Sequence, residues 1–245
     1  MAQHYSHRAG YSRTVLGLLM RHVSSLPPQE LSVADVGAGT GKLTEELAAL
    51  GLRPVCVEPN DEMRTEGARA LAALGLTWKK GSAEETGLPA RSADWLLMGS
   101  SFHWADPARA LPEFHRVLRE GGAFTAVWNP RDLQGQPLHE RIEERIRALI
   151  PNLKRVSSGG AAYTEKMFSI LTSTGHFEDV VLVEARHTVA MTKERYMGAW
   201  RSVNDIQVQA GDRWNDVLAA IEQEVSGLEV IEVPYRTRAY TARRV

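Results

Sequence analysis

The stretch VADVGAGTGKLT, residues 33–44, places a short apolar strand ending in an acidic residue directly before a glycine-rich turn. Glycines at positions 37, 39 and 41 let the backbone bend sharply and let a ligand lie against the main chain. Glu58 follows a second apolar strand, 54–57. In an open parallel sheet this acid lies at the carboxyl end of its strand, close to the turn, where it can bind both ribose hydroxyls of a nucleoside.

The spacing of the glycines separates three kinds of ligand site. A phosphate-binding P-loop requires G-x-x-x-x-G-K-S/T, but here the interval is one residue too short and Leu43 replaces the magnesium-binding hydroxyl. The dinucleotide fingerprint G-x-G-x-x-G would put its third glycine on Lys42, whose long side chain would lie at the helix–strand contact. The remaining pattern is D-x-G-x-G-x-G, which begins at Asp35.

This pattern resembles the first motif of the class I S-adenosylmethionine-dependent methyltransferases. Three later segments resemble the third-strand exit, the fourth strand with its loop, and the fifth-strand turn of the small-molecule branch called methyltransferase type 11, which includes trans-aconitate methyltransferase-like enzymes. These segments are KGSAEETGLP (80–89), SADWLLMGSSFHWAD (92–106) and VLREGGAF (117–124). The resemblance is good from about Val33 to Trp128 and thinner beyond.

The order of apolar and amphipathic segments predicts an α/β protein with a doubly wound parallel sheet. We expect strands at 32–36, 54–57, 179–187 and 235–242, and helices at 42–50, 61–74, 107–118, 137–150, 165–173, 193–203 and 213–226. The resemblance implies a Rossmann-like, seven-stranded, mostly parallel sheet with helical cap or lid insertions. We therefore predict a single domain, 1–245, with its core at about 30–129, 175–190 and 233–245, and cap segments at about 1–20, 130–164 and 190–228.

Composition narrows the class of partner. The chain has 245 residues with 43% hydrophobic content, enough for one large α/β domain, and its net charge of -1 argues against nucleic acid as a partner. No apolar run reaches the roughly 18 residues of a membrane helix, and the N-terminus lacks a signal-peptide pattern, so we expect a cytoplasmic protein without a membrane partner. The single cysteine, Cys56, cannot form an internal disulfide, and no cluster has metal-ligand spacing, so no metal is expected. We expect a small-molecule substrate and a monomer or homodimer.

The resemblance implies S-adenosylmethionine as cofactor and S-adenosylhomocysteine as product. The residues expected to bind the cofactor are Asp35, Gly37, Ala38, Gly39, Gly41, Glu58, Pro59, Ala83, Glu84 and Ser100. Asp35 is expected to orient the turn or reach the methionine amino group, and Glu58 to bind the ribose. Ala83 and Glu84 are expected near the adenine, with an ordinary strand exit and helix cap as the alternative.

The implied chemistry is an in-line displacement in which a substrate nucleophile, held about 3 Å from the methyl carbon, attacks it. A general base is needed only if that nucleophile arrives protonated. His103 follows the fourth strand at the ligand edge of the sheet, and an unperturbed pKa of about 6.5 suits a base at neutral pH. We therefore expect His103 to act as a base or to position the substrate, with a structural histidine bonded to a loop carbonyl as the alternative.

Six further residues are candidates for the acceptor side: Tyr11, Trp104, Asn129, Arg131, Trp200 and Arg201. Tyr11 ends a stretch, 5–11, that resembles the family's segment folded over the cofactor. An aromatic residue beside an arginine, as at 200–201, suits a planar or carboxylated small molecule. The alternatives are packing against the following helix for Trp104, a core contact for Trp200 and a solvated surface position for Arg131.

These patterns predict a methyltransferase that acts on a small molecule, with oxygen slightly favoured over nitrogen or carbon as the acceptor atom. The fourth-strand loop lacks the Asn/Asp-Pro-Pro-aromatic motif of enzymes that methylate nucleobase amines. A nicotinamide-dependent oxidoreductase is one alternative, against which Lys42 argues. The other is a non-catalytic protein that binds S-adenosylmethionine or S-adenosylhomocysteine.

Overall fold

The computed structural model describes residues 7–154 and 161–245, and in this part of the chain seven strands form one sheet. The strands are β1 (Val33–Val36), β2 (Val55–Val57), β3 (Trp78–Lys79), β4 (Ala93–Gly99), β5 (Leu118–Trp128), β6 (Phe177–Thr192) and β7 (Val230–Arg244). Their order is β3-β2-β1-β4-β5-β7-β6. The pairs from β3 to β5 are parallel, and β7 is antiparallel to β5. The predicted doubly wound, Rossmann-like, mostly parallel sheet of seven strands is confirmed.

Helices connect these strands. They are α1 (Arg13–Val23), α2 (Lys42–Ala49), α3 (Asp61–Ala70), α4 (Pro107–Val117), α5 (Pro137–Leu149), α6 (Ala161–Thr164), α7 (Met167–Thr172), α8 (Lys193–Arg201), α9 (Asn204–Ala210) and α10 (Trp214–Glu224). Two of the starts follow from local chemistry, since Asn60 and Asp106 accept hydrogen bonds from the first free N–H groups of α3 and α4. Helix α1 was not among the predicted elements.

Several predicted boundaries differ from the observed ones. The predicted helix 61–74 ends at Ala70, because the chain tightens into a 3₁₀ turn, Ala72–Leu74, which Gly75 stops with a φ of 58°. The predicted helix 193–203 ends at Arg201, and α9 begins at Asn204. Both late strands are several residues longer than predicted.

The chain divides into two compact units. The sheet unit comprises Gly10–Asn129, Ser158–Ala185 and Arg236–Val245, and the helical unit comprises Met1–Ala9, Pro130–Ser157 and Arg186–Tyr235. The predicted cap segments 1–20 and 130–164 include residues 1–6 and 155–160, which lie outside the described residues. The assignment of the whole chain to a single domain with a core and a cap stays a prediction.

The core of the sheet unit covers both faces of the sheet. Along β4, Trp95 and Leu97 pack with α1 and α2 residues, whereas Leu96 and Met98 pack with α4 residues such as Phe114. Because successive strand residues point to opposite faces, this alternation shows that β4 is buried on both sides, as in α/β proteins with a parallel sheet. Because both faces of the sheet are covered, the carboxyl ends of β1, β2 and β4 are the place left for a ligand, as in other folds of this kind.

The core of the helical unit is formed mainly by three helices. Ile142 and Ile146 of α5, Tyr196 and Trp200 of α8, and Val217 and Ile221 of α10 are all buried in one cluster. Apolar residues at helical spacing on each helix account for this packing.

Cys56 lies in the middle of β2 and is completely buried. Burial raises the pKa of its thiol to about 12, with the nearby Asp35 contributing and a hydrogen bond to Thr44 opposing the rise. The thiol is therefore un-ionised at neutral pH, as expected for a core cysteine.

None of the helices in the described residues is both long enough and apolar enough to cross a bilayer.

Candidate functional site

The glycine turn after β1 is fixed to the end of β2 by the main chain. The N–H groups of Gly37 and Ala38 both donate to the carbonyl oxygen of Val57, at 2.8 and 3.1 Å. Gly37 has a φ of 68°, and a Cβ atom at this position would lie 2.7 Å from Oγ of Ser101. Position 37 is therefore restricted to glycine both by its backbone conformation and by the space around it.

The Glu58 carboxylate binds main-chain groups through both of its oxygens. Oε2 accepts from the N–H of Gly39 at 2.8 Å, and Oε1 accepts from the N–H of Asn60 at 2.9 Å. The side chain is thereby held beside the turn, as the spacing predicted. Because each carboxylate oxygen accepts about two hydrogen bonds, both oxygens keep capacity for further donors such as ribose hydroxyls.

Asp35 is completely buried behind the turn. Its Oδ2 accepts a hydrogen bond of 2.6 Å from the Thr44 hydroxyl, and its Oδ1 has no partner in the described part of the chain. Burial raises the pKa of this carboxyl group to about 7, with the Thr44 hydrogen bond opposing the rise and the negative charge of Glu58 adding to it. A buried carboxyl oxygen without a donor is costly, so this group is suited to receive a cation or a hydrogen-bond donor from a ligand.

A cavity of about 310 Å³ adjoins the strand ends in the region where the adenine was predicted. It is lined by Pro59, Lys80, Gly81, Ser82, Glu85 and Gly87. Of the predicted adenine contacts, Ala83 is buried, and Glu84 accepts from the N–H of Asp106 at 2.9 Å, so its side chain supports the start of α4. Pro59 was predicted, whereas Ser82 and Glu85 were missed. Their position just after β3 was the available signal.

The residue after β4, Ser100, has a φ of 52°, which is rare for a residue other than glycine. Its N–H donates to the carbonyl oxygen of Val127 at 2.7 Å, and its hydroxyl accepts from the Tyr11 hydroxyl at 3.0 Å. A Cβ atom at the preceding Gly99 would lie 2.8 Å from that tyrosine oxygen. The structure thus brings the predicted residues Tyr11 and Ser100 together at the carboxyl end of β4.

His103 lies on a 3₁₀ turn, Phe102–Trp104, just beyond this strand end. The indole N–H of Trp128 donates to its Nδ1 at 3.5 Å, and its Nε2 is buried with no partner in the described chain. Burial lowers the pKa of His103, so the ring is neutral at neutral pH. An indole N–H can only donate, so Nδ1 is the acceptor in this long contact and the ring proton is placed on Nε2.

The neighbouring Trp104 does not pack in the core. It is 84% exposed, and its ring centroid lies 4.9 Å from that of His103. Packing against the following helix was the favoured interpretation of this residue from the sequence, and the exposure contradicts it. The indole is instead available to a ligand at the strand edge.

Both polar atoms of the Asn129 side chain form hydrogen bonds within the sheet unit. Its Nδ2 donates to the carbonyl oxygen of Gly10 at 2.8 Å, and its Oδ1 accepts from the Thr237 hydroxyl at 2.7 Å. The Thr237 oxygen also accepts from the N–H of Ser12 at 2.9 Å. These bonds fix the start of α1 to β5 and β7, which favours a structural role for Asn129 over the predicted substrate contact.

Three of the predicted acceptor residues belong to the helical unit. The guanidinium carbon of Arg131 lies 4.2 Å from the ring centroid of Trp200 and 5.9 Å from that of Tyr196. Trp200 is buried beneath this arginine, and Arg201 is exposed on α8. Arg131 and Trp200 are thus brought together. A third participant, His139, forms a hydrogen bond with the hydroxyl of Tyr196 and was not predicted from the sequence.

Comparison with known families gives a match within the sheet unit. A family model described as Methyltransf_11, a methyltransferase domain, matches residues 34–126. These residues contain the glycine turn, Glu58 and the His103 loop, and they cover most of the region on which the resemblance rests.

Individual relatives agree with this match. An uncharacterized methyltransferase of Mycobacterium tuberculosis is 46% identical over 111 residues, which are 44% of this chain and 43% of that protein, so the match spans less than half the length of this relative. An uncharacterized methyltransferase of Schizosaccharomyces pombe is 24% identical over 87% of this chain and 84% of its own length. The solved structure of a protein from Anaeromyxobacter dehalogenans, described as a type II methyltransferase, has a TM-score of 0.66 and 20% identity over 96% of this chain and 97% of that one.

Proposed function

Residues 34–126 form a class I S-adenosylmethionine-dependent methyltransferase domain, and from this premise we propose that the protein transfers a methyl group from S-adenosylmethionine to a small-molecule acceptor. The observation that carries the proposal is the Glu58 carboxylate, which two main-chain N–H groups hold beside the glycine turn with capacity left for a ribose. A cytoplasmic location and a monomeric or homodimeric state belong to the same proposal.

The sheet unit offers groups that fit each part of the cofactor. The glycines at positions 37, 39 and 41 let a ligand lie against the main chain of the turn, and the Glu58 oxygens suit the ribose hydroxyls. The unpartnered Oδ1 of Asp35 suits the methionine amino group, and the cavity beside Pro59 and Ser82 suits the adenine. When bound, S-adenosylmethionine supplies an electrophilic methyl group on a sulfonium ion.

On the acceptor side, His103 is proposed as a positioning donor. Its neutral Nε2–H suits an acceptor atom that keeps a second lone pair while the first attacks the methyl carbon, and this favours oxygen over an amine nitrogen or carbon. Because Nδ1 is already occupied, a protonated nucleophile would have to lose its proton to another group or to water. The rate gain from this chain then comes mainly from orientation and from exclusion of water.

Calorimetric titration with S-adenosylmethionine, S-adenosylhomocysteine and NADH tests the cofactor. We expect micromolar binding of the two sulfur compounds and none of NADH. Glu58→Gln should weaken S-adenosylhomocysteine binding roughly 10- to 100-fold, because it removes the charge that strengthens the ribose hydrogen bonds. Glu120→Gln, at an exposed glutamate, is the matched control and should bind as the wild type does. Binding of NADH alone would refute the proposal.

A second measurement separates an enzyme from a non-catalytic binding protein. The protein is incubated with methyl-labelled S-adenosylmethionine and panels of small carboxylic acids, phenols and amines. Label in an organic product, together with stoichiometric S-adenosylhomocysteine, supports methyl transfer. Tight cofactor binding without product across all three panels favours the non-catalytic alternative.

A further inference from the structure

In the part of the helical unit that the structure describes, the cationic side chain of Arg131 contacts aromatic rings and pairs with no acid. Its guanidinium carbon lies over Trp200 at 4.2 Å, and the residue is half-buried. Within residues 7–154 and 161–245, its guanidinium forms no hydrogen bond and no ion pair. Five N–H donors in a fixed planar array are therefore available to a ligand.

The nearest acid in the sequence does not neutralise this arginine. Asp132 pairs instead with Arg186, at 2.7 Å. The main chain on both sides is also fixed, since Arg131 forms an antiparallel bridge with Tyr235 and the N–H of Asp132 donates to the carbonyl oxygen of Pro234 at 2.9 Å. The base of the Arg131 side chain is thus held in place by β7.

The rings under Arg131, those of Tyr196 and Trp200, form an aromatic shelf that His139 holds in position. Nε2 of His139 lies 3.0 Å from the carbonyl oxygen of Glu232, which can only accept, so Nε2 donates and Nδ1 is the acceptor. The Tyr196 hydroxyl accordingly donates to Nδ1 across 3.2 Å. Burial lowers the pKa of His139 and raises that of Tyr196, so both groups are neutral at neutral pH. The rings of the shelf carry no charge, and the carboxylate that acts on them is that of Glu143, which raises the pKa of both groups while Arg131 lowers it.

We propose that Arg131, stacked on this aromatic shelf, is the centre of an oxyanion-binding site that takes a ligand carrying a carboxylate or a phosphate. A guanidinium that stacks through its face keeps its edge free, and the edge pairs with two oxygens of either anion. Stacking also restricts the side chain before the ligand arrives, so less freedom is lost on binding. The residues that carry this proposal all belong to the helical unit, and the glycine turn belongs to the sheet unit.

The test uses benzoate and phenyl phosphate as probes and neutral benzamide as their uncharged counterpart. Each is titrated into the full-length protein by calorimetry and by the indole ¹H–¹⁵N resonance of Trp200, which is assigned with Trp200→Phe. We expect at least one anion to bind saturably and benzamide to bind roughly tenfold more weakly or not at all. The more tightly bound anion identifies the group that the site prefers.

Three variants localise the binding. Arg131→Met keeps an apolar stem without charge and should weaken the preferred anion at least about tenfold, while Arg131→Lys should recover only part of the loss. Arg147→Gln, at an exposed arginine of α5, should bind as the wild type does. Equal binding of anions and benzamide, or undiminished binding by Arg131→Met, would overturn the inference. Titration with S-adenosylhomocysteine checks the fold of each variant, and its failure in the wild type would count against the proposed function alone.

Discussion

The two candidate sites are built from different parts of the chain. In the sheet unit, main-chain N–H groups of the turn and of Asn60 bind Val57 and Glu58, and a side chain is excluded at Gly37. In the helical unit, the site consists of side chains, with Arg131 stacked on Trp200. In a site built from main chain, substitutions fail when the new side chain is too large for the space. In a site built from side chains, they fail when the new side chain lacks the charge, the ring or the hydrogen-bonding group. The two sites should therefore respond differently to substitution.

The strongest test of this difference is Gly37→Val. Valine would have to adopt a φ of 68° with its Cβ atom 2.7 Å from Oγ of Ser101, so the turn must deform. We expect binding of S-adenosylhomocysteine to fall more than about 100-fold in calorimetric titration. Gly121→Ala is the matched control, since Gly121 has a φ of 69° with no atom near its Cβ position, and it should lose only about 1 kcal/mol of stability. Similar losses of binding in both variants would contradict steric exclusion as the cause.

In the helical unit, His139→Ala should lower stability rather than distort a turn. The substitution leaves a cavity and removes the partners of the Tyr196 hydroxyl and the Glu232 carbonyl. We expect a loss of about 2–4 kcal/mol in the free energy of unfolding, measured by urea denaturation. His22→Ala, at an exposed histidine of α1, should change it by less than about 0.5 kcal/mol. A loss no larger than that of His22→Ala would show that His139 does not hold the shelf.

A third test concerns the buried carboxyl group of Asp35 behind the turn. Asp35 keeps its proton in the folded protein up to a pKa of about 7, whereas the unfolded chain releases it near the ordinary aspartate pKa of 3.8. The folded state therefore binds more protons between these values, so this group makes stability fall as pH rises from about 4 to 7. Its contribution is at most about 1.4 kcal/mol per pH unit.

Asp35→Asn should remove this part of the pH dependence, which urea unfolding of the ligand-free protein at pH 4.5, 5.5 and 6.5 would measure. Asp212→Asn, at an exposed position of the helical unit, should keep the wild-type slope. An unchanged slope in Asp35→Asn would mean that the carboxyl group is ionised in the folded state despite its burial.

The smallest expected effect on stability is that of Trp104→Ala. Because this indole is 84% exposed, the free energy of unfolding should change by no more than about 0.5 kcal/mol. If the ring contacts the acceptor, KM for the acceptor should rise while the affinity for S-adenosylhomocysteine stays constant. An unchanged KM for the acceptor would mean that Trp104 has no role in the sheet-unit site.

The sheet-unit site was largely predictable because its constraints are local in sequence. The positive φ at Gly37 requires a glycine, and the acid at the end of the next strand stands at a recognisable distance from it in the sequence. Pro59 is the residue after Glu58. The end of α3 was harder, since helix propensity does not foresee the change to a 3₁₀ turn at Ala72.

Roles that depend on distant partners were not predictable. The tautomer of His103 follows from Trp128, 25 residues later, and the partners of Asn129 include Thr237, 108 residues later. His139 was missed for the same reason, because the carbonyl that orients it is 93 residues away at Glu232. A sequence pattern reports periodicity and spacing, whereas these roles arise from tertiary contacts.

The reactivity of the buried Cys56 thiol reports on the opening of β2. As the only cysteine, it allows one alkylation per molecule, and its un-ionised, inaccessible state blocks reaction while the strand is in place. The rate at which intact molecules gain the mass of one alkyl group therefore measures how often this strand opens. A ligand bound to the Glu58 carboxylate at the end of the same strand would lower this alkylation rate by a factor that its binding free energy sets.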